Sequence, residues 1–186
     1  AYDYRAMAAD AVATARPLKV LADGGAQAAA SMSMLDVFLG IHGGMLGETC
    51  VLAILLGFFY LVFTRTISPV IPVSITVTVF ACSYLASGSW QMALLQVMSG
   101  GLLFGAVFMA TDYVTSPFTA KGKLFYGIFI GLITFLIRYF GSMNEGMSFA
   151  ILLGNLLTPW FNVWGRQVPL GYKKAKKQKA AKGGEG

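Results

Sequence analysis

The chain has 186 residues, of which 56% are hydrophobic and only 12% charged, with a mean hydropathy of +0.67. Soluble domains carry about a quarter charged residues, so this composition excludes an ordinary globular enzyme and points to an all-α integral membrane protein. The formal charge of +6 lies in residues 165–186, where Arg166 and six lysines face Glu185 alone; a short basic tail of this kind does not make a nucleic-acid-binding surface.

Residues 1–33 are Ala-rich and weakly periodic and read as a non-spanning segment. The chain opens on Ala1 in mid-pattern and without a signal peptide, and is read as the C-terminal portion of a longer protein. A transmembrane domain is expected over 34–164, with apolar stretches at 49–64, 67–87, 90–111, 124–141 and 147–164. The second, third and fourth are near the ~20 residues a bilayer requires. The first is short: Cys50 to Thr64 covers roughly 22 Å at 1.5 Å per residue, against a core of about 30 Å. Just before it, the apolar run Met34–Ile41 is interrupted by Gly43-Gly44. Together these predict either a discontinuous, re-entrant helix or an interfacial helix followed by a tilted span. Residues 165–186 form the basic tail.

Basic residues set the expected orientation. With the lysine tail in the cytoplasm, counting back through about five spans puts Lys121, Lys123 and Arg65 inside. The segments 86–89 and 142–146, without Lys or Arg, then lie outside, as do residues 1–33. Arg138, near the outer end of the fourth span, is the exception, and its stem is expected to snorkel outward. Five spans, an odd number, suit one half of a fold made from two inverted repeats, although no internal duplication is visible here.

Polar groups within this apolar background are the candidate functional residues, because an unpaired charge there costs several kcal/mol. Gly43–Cys50 carries Gly47, Glu48 and Thr49, which either cap a helix or let backbone and carboxylate approach a flat ligand or cation. Asp112, with Thr111, Thr115 and Ser116, ends the third span before Pro117. The cluster is either a helix stop with an Asx-type turn or a contact for an ion or a flavin. Gly101 with Gly105 and Gly127 with Gly131 are small-xxx-small pairs expected to pack helices. Cys50 and Cys82 lack metal-ligand spacing and read as small core residues. His42 is read as structural, with proton relay as the alternative. No hydrolase triad, paired-carboxylate site, phosphate-binding loop or metal cluster is evident.

The run Phe108-Met-Ala-Thr-Asp-Tyr-Val-Thr-Ser-Pro117, continued by Phe118-Thr-Ala-Lys-Gly-Lys-Leu-Phe-Tyr-Gly127, resembles a signature of the D subunit of the Rnf ion-translocating electron-transport complex. The Gly47-Glu48-Thr49 segment is similar to a Gly-rich run of that family. A third likeness is Asp10-Ala-Val-Ala-Thr14-Ala-Arg16-Pro17-Leu18, which resembles the family's flavin-attachment motif, Asp-x-x-Ser/Thr-x-Ala-Thr-Pro-Leu, where FMN is esterified through its phosphate to the final Thr. Asp10, Ala15, Pro17 and Leu18 match, but Arg16 stands at the acceptor position and cannot form the ester. Flavin then binds non-covalently with Arg16 on its phosphate, or attaches at Thr14, or the covalent flavin is absent. Pro17 suits a first helical position, which sets the preceding side chain at an anion-favouring helix end.

The resemblance, from about Asp10 to Trp164, implies one half of a ten-helix inverted-repeat subunit in the bacterial inner membrane. Its implied cofactors are FMN and riboflavin, and its implied partners the other Rnf subunits, the bilayer and Na⁺ or H⁺. The implied activity couples ferredoxin:NAD⁺ electron transfer to ion translocation, with no complete active site on this chain. The B subunit of a sodium-translocating NADH:quinone reductase is the nearest alternative, and Thr115-Ser116-Pro117 favours Rnf over it. A non-redox channel or transporter of related inverted-repeat fold is the alternative of a different class.

Overall fold

The computed structural model describes residues 34–40, 50–99, 101–141 and 146–164, and among these every regular element is helical. In chain order they are α1 (Met34–Leu39), α2 (Val51–Phe63), α3 (Val70–Ser87), α4 (Trp90–Met98), α5 (Leu102–Phe104) running into a π-helical turn (Gly105–Met109), α6 (Ala120–Phe140) and α7 (Met147–Trp164).

α2 has 13 residues, about 20 Å of rise and as short as expected. Its end is a Schellman turn: Thr66 N–H donates to Leu61 O at 2.9 Å and Arg65 N–H to Val62 O at 3.0 Å. The position that glycine usually takes in this turn holds Arg65, at φ 54°. A side chain in that region costs about 1 kcal/mol. Arg65→Gly is therefore expected to raise the thermal midpoint of the intact assembly by roughly 2–4 °C. An unchanged or lowered midpoint would show that the guanidinium stabilises the turn by as much as its backbone strains it.

α3 is rich in β-branched residues, which are mediocre helix formers in water. Its hydroxyls are absorbed by the helix itself: Thr76 Oγ1 donates to Pro72 O at 2.8 Å and Thr78 Oγ1 to Ser74 O at 2.7 Å. Pro72 sits in the first turn, where no intrahelical N–H is missed, and Gly88 at φ 65° stops the helix.

The third apolar stretch, expected as one helix over 90–111, is broken. α4 and the α5–π segment meet at 62°. Ser99 is extended (φ −93°, ψ 143°) and is followed by two glycines, the residues least able to hold a helix. A discontinuity thus occurs two apolar stretches later than the sequence suggests, while Gly43-Gly44 lies outside the described residues. Beyond the break, Ala110 N–H reaches Gly105 O at 2.7 Å, the i→i+5 bond of a π turn.

Two helices, α3 (18 residues) and α6 (21 residues), are long and apolar enough to cross a membrane, and the bent α4–α5 pair makes a third if it is one span. α7 also has 18 residues, but Asn155, Thr158, Pro159 and Asn162 lower its hydropathy. Length and hydropathy therefore give two to three candidate spans among the described residues. Large apolar side chains point outward around the bundle, with Phe63 89%, Leu85 82% and Phe140 79% exposed. Surfaces of this kind belong in lipid, so this is a membrane protein.

α3 and α6 form the tightest helix pair, and α7 packs on α6. Gly127 and Gly131 make the α3–α6 approach possible: a Cβ on Gly127 would land on Ser74 Oγ, and one on Gly131 would come within 3.0 Å of Ile75 O. Gly105 faces Met147 of α7. Around these contacts Ile71, Ile75, Ala106, Tyr126, Ile130 and Phe161 form the main core, and Val51, Ile54, Val79, Leu102 and Val107 a second. The cysteines are unbridged and half-buried, so they line the packing instead of filling its centre.

Arg138 does not snorkel outward. Half-buried on α6, its guanidinium turns to the end of α4 and donates from Nη1 to Gln96 O at 2.6 Å and from Nη2 to Ser99 O at 3.4 Å. The carbonyls at this broken helix end supply acceptors that bulk lipid cannot.

Candidate functional site

The π turn delivers the chain into the polar run 111–119. Thr111 Oγ1 donates to Val107 O at 2.6 Å, so its hydroxyl is spent on the helix end. Asp112 is exposed. Its Oδ2 accepts a bond from Thr115 Oγ1 at 3.2 Å, and its backbone carbonyl accepts from Ser116 N–H at 3.0 Å. The turn is therefore closed main chain to main chain, and the carboxylate bonds a hydroxyl, in place of the Asx-type turn that the sequence allows. One lone-pair face of Asp112 is engaged by Thr115, and the exposed carboxylate can accept more.

The run is pinned from α7. Thr158 Oγ1 donates to Thr115 O at 2.7 Å, and Asn162 Oδ1 accepts from Phe118 N–H at 3.0 Å. Asn155 Oδ1 takes the Tyr126 hydroxyl of α6 at 2.6 Å. Ser116 and Pro117 are buried beneath the turn, and Thr119 caps α6 by accepting from Gly122 N–H at 3.1 Å. Asn155, Thr158 and Asn162 escape the sequence reading. Their signal is nonetheless present: polar residues at i, i+3 and i+7 on an apolar helix share one face, and a buried polar face needs a partner.

Above this turn opens a pocket of about 520 Å³. Leu61, Ile67, Val107 and Ile151 supply apolar lining, while Asp112, Thr115 and Asn155 supply polar groups. Its volume falls in the range of small-molecule sites, roughly 300–1,000 Å³. One carboxylate with neighbouring hydroxyl and amide groups can pair with a hydrated cation or with the N–H edge of a flat heterocycle lying on the apolar wall. A second cavity of about 200 Å³, between α2, α3 and α5, is walled by Leu55, Phe58, Val73 and Leu103 and offers a charged ligand nothing.

Of the candidate site residues, Asp112, Thr115 and Ser116 are brought together, although Ser116 is directed into the packing and not the pocket. Asp10, Thr14, Arg16, Pro17, Gly47, Glu48 and Thr49 lie outside the described residues, as does His42.

Comparison with known proteins adds sequence relationships to this geometry. A family model described as the NQR2, RnfD, RnfE family matches residues 3–171. The chain is 40% identical over 174 residues to the D subunit of the Na⁺-translocating ferredoxin:NAD⁺ oxidoreductase complex of Acetobacterium woodii, covering 92% of this chain and 53% of that protein. It is 36% identical over 178 residues to the D subunit of the proton-translocating ferredoxin:NAD⁺ oxidoreductase complex of Clostridium ljungdahlii, covering 89% and 53%. With the D subunit of the ion-translocating oxidoreductase complex of Stutzerimonas stutzeri it shares 44% over 131 residues, covering 68% and 37%. The chain spans about half the length, or less, of these curated relatives.

Proposed function

The chain belongs to the NQR2, RnfD, RnfE family, and from that premise we propose that it is part of the D subunit of an Rnf-type complex, which couples electron transfer between ferredoxin and NAD⁺ to Na⁺ or H⁺ translocation. The observation that carries this reading is the 40% identity over nearly the whole chain to a protein so named. The same likeness favours this assignment over the B subunit of a quinone reductase. In this reading the other subunits of the complex and the bilayer of the inner membrane are its partners. The described helices belong to one five-span half of a ten-helix, inverted-repeat subunit, with residues 1–33 outside and the lysine tail in the cytoplasm. Lys121 and Lys123 support that orientation: two lysines at the start of α6, where the helix dipole does not favour cations, fit the excess of basic residues on the cytoplasmic side.

The subunit would hold flavin. The pocket at Asp112 suits such a group in size and chemistry, because apolar lining with a few polar groups answers the face and the polar edge of an isoalloxazine ring. There Asp112, Thr115 and Asn155 would orient the ring, and the bound group would supply one-electron chemistry to the complex. Asp112 is equally suited to hold the coupling cation near that ring, whereas the FMN motif, with Arg16 at the acceptor position, belongs to the opposite, outer side.

The purified complex containing the full-length subunit tests the proposal. It is expected to reduce NAD⁺ with reduced ferredoxin and, in inverted vesicles, to accumulate Na⁺ or acidify the lumen as it does so. Electron transfer without ion movement, or a subunit that carries no flavin absorbance, would overturn it. On a denaturing gel under ultraviolet light this subunit is expected to show no flavin band at Arg16, since a guanidinium carries no ester. A band that disappears in Thr14→Ala would place the attachment two residues earlier.

A further inference from the structure

The break between α4 and α5 has features that the pocket at Asp112 does not use. α4 ends at Met98; Leu95 O still accepts from Ser99 N–H at 2.8 Å, and the carbonyls after it stand at the helix end, where intrahelical partners run out. The negative end of this half-helix points at α6, from which Arg138 answers with bonds to Gln96 O (2.6 Å) and Ser99 O (3.4 Å). A guanidinium stays charged in an apolar interior, so it settles where carbonyl dipoles are concentrated. Ser99 is itself fully buried, and its Oγ has no hydrogen-bond partner among the described residues. Buried hydroxyls are nearly always bonded, and this unsatisfied one belongs to the residue whose carbonyl Arg138 reaches. Gln96 is buried as well. Two main-chain carbonyls at a half-helix end and a buried hydroxyl are an all-oxygen set of the kind that binds hard monovalent cations in interrupted membrane helices.

We propose that this break is a monovalent-cation site whose resident ion, in this structure, is the guanidinium of Arg138. When the arginine withdraws, a small cation such as Na⁺ takes the carbonyl oxygens of Gln96 and Ser99 together with the Ser99 hydroxyl. The tethered charge and the free ion compete for the two carbonyl oxygens, and the free ion alone also uses the Ser99 hydroxyl, so the half-helix end is never left bare. The inference rests on the fold alone and holds whichever ion the complex transports.

The test uses the full-length subunit in its complex, with a fluorescent C-terminal fusion, followed by size exclusion after heating in choline chloride. Arg138→Ala is expected to lower the midpoint by roughly 5–10 °C, from the loss of a half-buried charge that satisfies two carbonyls. Millimolar NaCl or guanidinium chloride should restore at least half of that loss while leaving the native protein unmoved. Adding Ser99→Ala should remove the restoration by Na⁺. An assembled Arg138→Ala complex that responds to no cation beyond choline would overturn the site. Where the alanine variant does not assemble, Arg138→Lys against Arg138→Met decides: retention with lysine and loss with methionine supports a cation site, and equal loss in both overturns it.

Discussion

Asp112→Asn is expected to lower ion-coupled electron transfer of the assembled complex by roughly ten- to hundredfold, the equivalent of losing a charged contact worth about 1.5–3 kcal/mol. The substitution is chosen because it separates charge from shape. Asparagine still accepts the Thr115 hydroxyl through its amide oxygen, and the bond from Ser116 N–H to the residue 112 carbonyl needs no side chain. The anchoring of the turn by Thr158 and Asn162 is likewise untouched. Assembly and thermal midpoint should accordingly remain close to native. What changes is the negative charge at the rim of the 520 Å³ pocket. Parallel assays of electron transfer and ion uptake in vesicles read the result. Full coupled activity in the assembled variant would reduce Asp112 to a helix stop and remove this pocket from the mechanism.

Gly127→Val should have the larger effect on the protein itself, with most of the chain lost from the assembled complex. The α3–α6 contact is the most extensive in the described bundle, and at Gly127 it is a backbone approach without clearance. The first added carbon would overlap Ser74 Oγ and stand 2.9 Å from Ser74 Cβ and 3.2 Å from Ile71 O. Ser74 is buried with its hydroxyl bonded to Ile71 O at 2.9 Å, so rotating it away leaves a hydroxyl unsatisfied in an apolar core. Overpacking of a rigid site costs about 1–3 kcal/mol and more where backbone must move, as here. The first carbon added at Gly88, by contrast, meets nothing within 4 Å, and a valine there is strained chiefly by φ 65°. Comparing membrane yields of the two variants distinguishes lost packing from a strained turn. Equal yields would show that α3 and α6 part without penalty.

Much of the chain is legible without coordinates. Apolar length and the absence of charge mark a lipid solvent, because every uncompensated charge there is expensive. The same logic places α7 at its observed bounds, Met147–Trp164, sets α2 at less than a bilayer's depth, and makes Asp112 conspicuous. The packing role of Gly127 and Gly131 is readable too, since small residues four apart share a helix face. These are properties of one residue or one helical repeat.

Tertiary structure decides everything that depends on who stands opposite. Residues 90–111 are apolar almost throughout, and nothing in their period distinguishes a straight helix with a packing glycine at 101 from two half-helices meeting at 62°. The second solution is available because Arg138, some forty residues later, satisfies the carbonyls that the break exposes. By sequence alone that arginine is a cation near a membrane surface, with water as its natural partner; in the fold a helix end lies closer. Asn155, Thr158 and Asn162 follow the same rule from the other side, three polar residues whose partners are chosen only when α7 is laid against the turn at 112–118. A hydrogen bond in an apolar medium is worth most where water cannot compete for it, so these few polar groups select the arrangement, and their spacing along the chain does not say which arrangement it is.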